Sequence, residues 1–306
     1  MTDSIIVAEH VGHVYRGGTV ALEDINLQID KGLFGLLGSN GAGKSTFMRI
    51  ICTLLVPTTG RVTVAGLDVV RERSKVRNLF GYLPQEFGAW RLQQVEEVLD
   101  TLALISGVRD SRTRKQRIAQ VLESVGLEKV ARRKVKQLSG GMVRRLGVAQ
   151  ALVHEPRILI MDEPTVGLDP EERLRFRQLM AQLSQDRVIL LSTHIVADLG
   201  SGCSDLALID RGRLQFRGSP AELINLARNK VCEVAVAETQ EAELSAQMEI
   251  VSRSAADGKI SLRGVLTQAQ APSGARMVDN ITLEEAYLAF MTSRGRHADE
   301  LEMLDH

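Results

Sequence analysis

Residues 38–46 read GSNGAGKST, directly after the apolar run LFGLL at 33–37. The stretch fits G-x-x-x-x-G-K-[ST] in the context that pattern requires, an apolar strand before it and a helical stretch after it. Glycines let the backbone curl tightly enough for successive N–H groups to converge on phosphate oxygens. The following helix adds its positive N-terminal end. Gly38, Ser39, Asn40, Gly41, Ala42, Gly43, Lys44, Ser45 and Thr46 therefore make the expected phosphate cradle. Lys44 would reach the β- and γ-phosphates, Ser45 a Mg²⁺ ion and Thr46 the α-phosphate. A strand–loop–helix unit of this kind implies an α/β fold.

Outward from that loop, short apolar runs alternate with helix-period stretches, as in a largely buried sheet. Strands are expected at 5–8, 25–29, 33–37, 61–64, 79–83, 157–161, 188–192, 206–210 and 213–217. RILIM at 157–161 and VILLS at 188–192 do not alternate, which suits central strands covered on both faces. Between about 92 and 155 the strand pattern stops, and Ile118, Val121, Leu122 and Val125 recur at helical spacing. This helical insertion carries RDSRTRKQR at 109–117 and ARRKVK at 131–136. Such charges read first as a solvated helix face and second as a surface for acidic or lipid-headgroup partners. Residues 231–280 mix short alternating runs such as VCEVAVAE with Ala, Gln and Ser, the pattern of a small α+β appendage.

Bulk properties exclude several classes. Lys+Arg and Asp+Glu both total 38 in the 306 residues, so no global field draws the chain to nucleic acid or lipid. Cys52, Cys203 and Cys232 lack metal-site spacing and fit a reducing cytoplasm. No apolar run approaches the roughly 20 residues that span a bilayer. The opening MTDSIIVAEH lacks the basic-then-apolar pattern of a signal peptide. A membrane role is therefore expected to come through a partner.

Two more elements narrow the chemistry. RILIMDEP at 157–164 ends an apolar strand in two acids, at the sheet edge where open α/β folds bind ligands. Asp162 is the expected Mg²⁺ partner, and Glu163 is placed to polarise an attacking water. LSGGM at 138–142 runs straight into the helical VRRLGVAQALVHE. Its Ser139 hydroxyl and free helix-start N–H groups form a second anion site. A chain with two phosphate-binding surfaces can clamp a nucleotide between its own P-loop and the LSGG of another copy.

Taken together and in this order, these elements resemble the nucleotide-binding subunit of an ABC transporter over roughly residues 1–230. GSNGAGKST resembles the Walker A motif, LSGGM the family signature, ILIMDEP the Walker B motif, TVGLDP at 165–170 the D-loop and STH at 192–194 the switch histidine. Gln85 in GYLPQEF resembles the Q-loop glutamine, and Tyr15 in HVGHVYRGG the aromatic that stacks on adenine. The resemblance implies a mixed central sheet with an N-terminal antiparallel β region, a helical subdomain at about 88–155, and a C-terminal extension at 231–306. It implies that Ser139, Gly140 and Gly141 contact nucleotide held by a second cassette. His194 would contact the γ-phosphate, Gln85 would sense Mg²⁺, and Asp169 would act across the dimer seam while also capping the helix that begins near Pro170.

Met142 stands where the family usually has Gln, and Ser39 where it has Pro; neither removes a phosphate donor. GAWRLQQVEEVL at 88–99 also departs from the pattern, in a region that meets the membrane subunit in the family and is expected to encode partner choice. TLEEAYLAFM at 282–291 resembles the closing helix of bacterial drug- and polysaccharide-type exporter ATPases, with Leu283, Ala286, Tyr287 and Phe290 on one helical face. The expected protein is thus an ATP- and Mg²⁺-dependent exporter ATPase. It would act as a homodimer on integral membrane permease subunits at the cytoplasmic face of the inner membrane. The competing expectation is a soluble ABC-type ATPase acting on ribosomes or nucleic acid, which usually carries two cassettes or a long coiled-coil insertion.

Overall fold

The computed structural model describes residues 5–85, 90–237, 241–245, 247–256, 259–268 and 270–296. Gly88 and Ala89, the start of the unusual stretch after Gln85, lie outside the described residues. Contacts divide the chain into two compact units, Met1–Arg217 and Gly218–His306. The division falls ahead of the boundary expected after residue 230.

The first unit contains two sheets. An antiparallel sheet comprises β1 (Ile6–Val14), β2 (Val20–Ile29), β4 (Thr59–Val64) and β5 (Leu67–Asp68), ordered β2-β1-β4-β5. The central sheet comprises β3 (Gly32–Leu37), β6 (Phe80–Leu83), β7 (Ile158–Asp162), β8 (Val188–Thr193), β9 (Cys203–Asp210) and β10 (Arg213–Gly218). Its order is β10-β9-β3-β8-β7-β6. The first five from the β6 edge pair in parallel. The two residues between β9 and β10 are too few for a crossover, so that edge is an antiparallel hairpin and the sheet is mixed.

All expected strands are present, several of them longer than their apolar patterns. β1 runs to Val14 and β2 starts at Val20, because backbone pairing carries the hairpin past its apolar core through register shifts near His10. β7 and β8 are buried at every position, as their unalternating runs imply. Helix α1 (Lys44–Ile51) contacts both sheets, and its Phe47, Met48, Ile50 and Ile51 are sealed in one cluster with Ile25, Val62, Ile160 and Leu190. Each such side chain stabilises the fold by about 1.5–3 kcal/mol. The phosphate loop is therefore anchored at both ends, by a central strand and a core helix.

α2 (Arg73–Arg77) leads into β6, and the expected helical region follows: α3 (Val95–Ile105), α4 (Ser111–Ser124) and α5 (Gly140–Leu152). Asp110 caps α4 through Thr113 N at 2.7 Å. α6 (Pro170–Leu183) joins β7 to β8.

The second unit holds α7 (Pro220–Leu226), β11 (Val231–Val236), α8 (Glu241–Leu244), β12 (Met248–Ala256), β13 (Lys259–Leu266), β14 (Arg276–Met277) and α9 (Leu283–Thr292). Its antiparallel sheet runs β12-β13-β11-β14 over a small core of Cys232, Val234, Leu244, Met248, Ile260 and Leu262. On α9 the buried set is Glu285, Ala286, Ala289, Phe290 and Met291. A simple apolar face does not anticipate Glu285; it is buried because Arg263 and the Thr282 cap satisfy its carboxylate.

Candidate nucleotide site

Register builds the site. Leu37 pairs with Thr193 and Asp162 with Ser192. The next residue on each strand is Gly38, His194 or Glu163, so three elements far apart in sequence deliver their groups to one sheet edge.

A cavity of about 490 Å³ lies there, lined by Tyr15, Thr19, Val20, Ala21, Gln85, Glu163 and residues 39–46. Gly43 at φ 109° turns the loop into α1, and a Cβ on Gly38 would stand 2.3 Å from the Ile209 carbonyl oxygen. Lys44 is 3% exposed, and its Nζ donates to the carbonyls of Gly38 (2.6 Å) and Ser39 (3.1 Å). The ammonium also stands 3.4 Å from Glu163 Oε1.

Glu163 is the hub of the acidic side. Its backbone sits at φ 47°, a left-handed conformation uncommon for a non-glycine residue and frequent at functional positions. The backbone is held there by Ser192, whose Oγ accepts from Glu163 N at 3.1 Å and donates to Asp162 Oδ1 at 2.6 Å. Around the carboxylate, Gln85 Nε2 donates to Oε2 at 3.1 Å and His194 Nδ1 stands 3.3 Å from Oε1. Burial alone would push this carboxyl up, but the His194 contact and the Lys44 charge outweigh it and hold the pKa below the ordinary glutamate value. An ionised carboxylate with its oxygens held in place is the form a general base needs.

Tyr15 donates to or accepts from Thr46 Oγ1 at 3.0 Å and meets the His13 ring edge-on, with centroids 4.7 Å apart. Its ring stands at the rim of the cavity. Ser139, Gly140, Gly141 and Asp169 do not line the cavity of their own chain. Ser139 instead caps α5 through Met142 N at 3.2 Å, and Asp169 caps α6 through Glu172 N at 2.8 Å. The Met142 side chain takes no part in that cap.

Three residues escape sequence reasoning. Arg144 on α5 donates to the carbonyls of Gln85 (2.8 Å), Asp162 (3.1 Å) and Pro164 (2.7 Å), and also to that of Glu163. Ser192 positions both acids. Buried Asp198 accepts from Thr165 Oγ1. The available signals were a hydroxyl at the end of an apolar strand, VILLS, and a lone acid within the apolar stretch IVADL at 195–199.

Comparison with known proteins shows the family and the fold. The ABC transporter family model matches residues 22–166. The linearmycin resistance ATP-binding protein LnrL of Bacillus subtilis is 34% identical over 245 residues, covering 79% of this chain and 78% of that protein. The chain belongs to the ABC transporter ATP-binding family. Solved cassettes of the family share the fold. One is cbiO1 of Clostridium perfringens, described as part of the transporter complex cbiONQ, with TM-score 0.66 and 27% identity over 73% of this chain and 91% of that one. Another is the dimeric cassette MJ0796, with TM-score 0.64 and 26% identity over 70% and 98%. This ABC protein is an ATP-binding and ATP-hydrolysing subunit of a membrane transporter. Among its described residues no helix is long and apolar enough to cross a membrane.

Proposed function

We propose that this subunit powers export by clamping two ATP molecules between two copies of itself and passing the motion to separate membrane subunits at the cytoplasmic face of the membrane. The observation that carries the reading is the Glu163 carboxylate, held among Lys44, His194 and Gln85 beside the phosphate loop. Export is favoured by the likeness of 282–291 to exporter ATPases and by a relative named for linearmycin resistance.

In this mechanism the loop N–H groups of residues 39–46 hold the phosphates, and Tyr15 flanks the base. Lys44, now neutralised by Glu163, turns to the phosphate oxygens when they enter. Glu163 then accepts a proton from the attacking water, with His194 and Gln85 orienting it. Ser139, Gly140 and Gly141 serve the partner copy's nucleotide, which accords with their absence from the lining of their own chain's cavity, and Asp169 acts at the seam between the copies. The donor set also suits Mg²⁺. Ser45 and Asp162 offer hard oxygens, Gln85 offers an amide oxygen, and no cluster of three or more His, Cys, Asp or Glu occurs among the described residues. Mg²⁺ takes one or two protein oxygens alongside phosphates rather than a full protein cage. When bound it would neutralise phosphate charge.

The test is Glu163→Gln in the full chain. ATP binding should persist and a nucleotide-dependent dimer should accumulate, while hydrolysis falls by roughly 10²–10⁴-fold, the usual contribution of a general base. Undiminished hydrolysis would reject the assignment, and a monomer with bound ATP would reject the sandwich.

A further inference from the structure

The ring at the cavity rim and the phosphate loop stand on different sheets. Tyr15 directly follows β1 in the antiparallel sheet, whereas residues 38–43 follow β3 in the central one. Strand pairing within either sheet leaves their separation open, yet one nucleotide has to meet both. Contacts around Tyr15 close that gap. Its backbone is folded into a short turn, with Tyr15 N donating to Thr19 O at 2.9 Å and Gly18 N to Tyr15 O at 3.0 Å. Its hydroxyl meets Thr46 Oγ1, in the first turn of α1, at 3.0 Å. Its ring meets His13, two residues back on β1, with the two planes at 83°.

His13 is 7% exposed. Its Nδ1 lies 3.0 Å from Val56 O, in the segment that follows the far end of α1. A carbonyl only accepts, so Nδ1 carries the proton and Nε2 the lone pair. That Nε2 is buried with no hydrogen-bond partner. A buried acceptor left unpaired lowers stability, so packing alone would be served better by an apolar side chain. The imidazole offers two things that an aliphatic side chain does not, a bond to Val56 and a rigid ring against Tyr15.

We infer that His13 is a positioning residue for the base of the nucleotide, holding the Tyr15 ring at a set tilt and distance from the phosphate loop; this rests on Tyr15 flanking the base. Both ends of α1 take part, Thr46 through the Tyr15 hydroxyl and Val56 through His13, and the helix between them is sealed in the core. An edge-on ring pair holds orientation as well as position. A ring ordered beforehand spares the ligand the entropy of ordering it on arrival. Tyr15 lines the nucleotide cavity and His13 does not, so His13 acts through Tyr15 and its effect is confined to ligands that carry a base.

The experiment compares ATP with inorganic tripolyphosphate, which offers phosphates and no base. Binding of each to the full chain in Mg²⁺ buffer is measured by calorimetry for wild type, Tyr15→Ala, His13→Leu and His13→Phe, with thermal midpoints taken on the same preparations. Tyr15→Ala should weaken ATP binding and spare tripolyphosphate. His13→Leu fills the buried space without a ring and should do the same, weakening ATP roughly three- to tenfold, the scale of one lost ring pair. Its KM for ATP should rise by more than its kcat falls. His13→Phe keeps a ring against Tyr15 and should recover most of the loss. Equal weakening of ATP and tripolyphosphate by His13→Leu would overturn the inference, because it would mark a role in the fold alone. Unchanged ATP affinity in His13→Leu, with Tyr15→Ala impaired, would overturn it too. A Tyr15→Ala protein that binds ATP as wild type does would instead remove the base-stacking role of Tyr15 on which it rests.

Discussion

Lys44 and Glu163 form an ion pair at 3.4 Å, with side chains only 3% and 5% exposed. The cation that the phosphate loop supplies for nucleotide and the carboxylate assigned to water activation thus neutralise one another. Neither is left as a lone buried charge, which would be costly. The pair also sets the acid behaviour of the site.

Glu163 has a folded pKa held below its ordinary value of 4.5. A carboxyl shifted down contributes stability that is fully present above the unfolded value and lost as the pH falls through the folded one. Wild type should therefore exceed Glu163→Gln in thermal midpoint at neutral pH. That gap should begin to close near pH 4.5 and vanish in stronger acid. A gap constant with pH, followed by calorimetry, would show that the carboxylate is not held in its charged form.

Arg144 should behave as a tether between the signature helix and the catalytic loops. Its planar fork reaches carbonyls at Gln85 and across 162–164, a span that the point charge of lysine cannot cover. Arg144→Lys should cost about 1–3 kcal/mol, the penalty of buried acceptors left unpaired. ATP turnover should fall with it, because Gln85 and Glu163 lose their common anchor. Turnover and denaturant midpoint measured on one preparation decide this.

Asp198 links the segment after Glu163 to the segment around His194. Its carboxylate accepts from Thr165 Oγ1, and Thr193 Oγ1 lies 3.3 Å from the same oxygen. Asp198→Ala should lower kcat more than it changes KM for ATP, with about 1–3 kcal/mol lost in stability. Asp198→Asn keeps an acceptor oxygen and should recover most of both. Equal damage from the two variants would mean that charge, rather than the Thr165 contact, is what matters.

In the C-terminal unit, Arg263 Nη2 donates to Glu285 Oε2 at 2.8 Å, and Glu285 is 2% exposed. Arg263→Met would leave that carboxylate buried and uncompensated, at a cost of about 2–3 kcal/mol. This lies below the usual range for buried pairs because the Arg263 side chain is itself 21% exposed. Adding Glu285→Gln should restore part of the loss in a urea titration of the full chain.

The sequence by itself determined the elements and the candidate phosphate loop. GSNGAGKST between LFGLL and a helix, the unalternating RILIM and VILLS, and the Asp-Glu pair after RILIM are local patterns. Spacing and side-chain type alone make them legible. Tertiary structure decided which distant residues meet. The register of β3, β8 and β7 places Gly38, Glu163 and His194 together, and no local pattern encodes that pairing. It likewise decided that Ser192, Arg144 and Asp198 would support the site and that Glu285 could be buried, and it brought Arg91 against Lys136. A polar residue's environment is set by partners that the chain supplies tens of residues away, whereas turn geometry and apolar periodicity are set within a few.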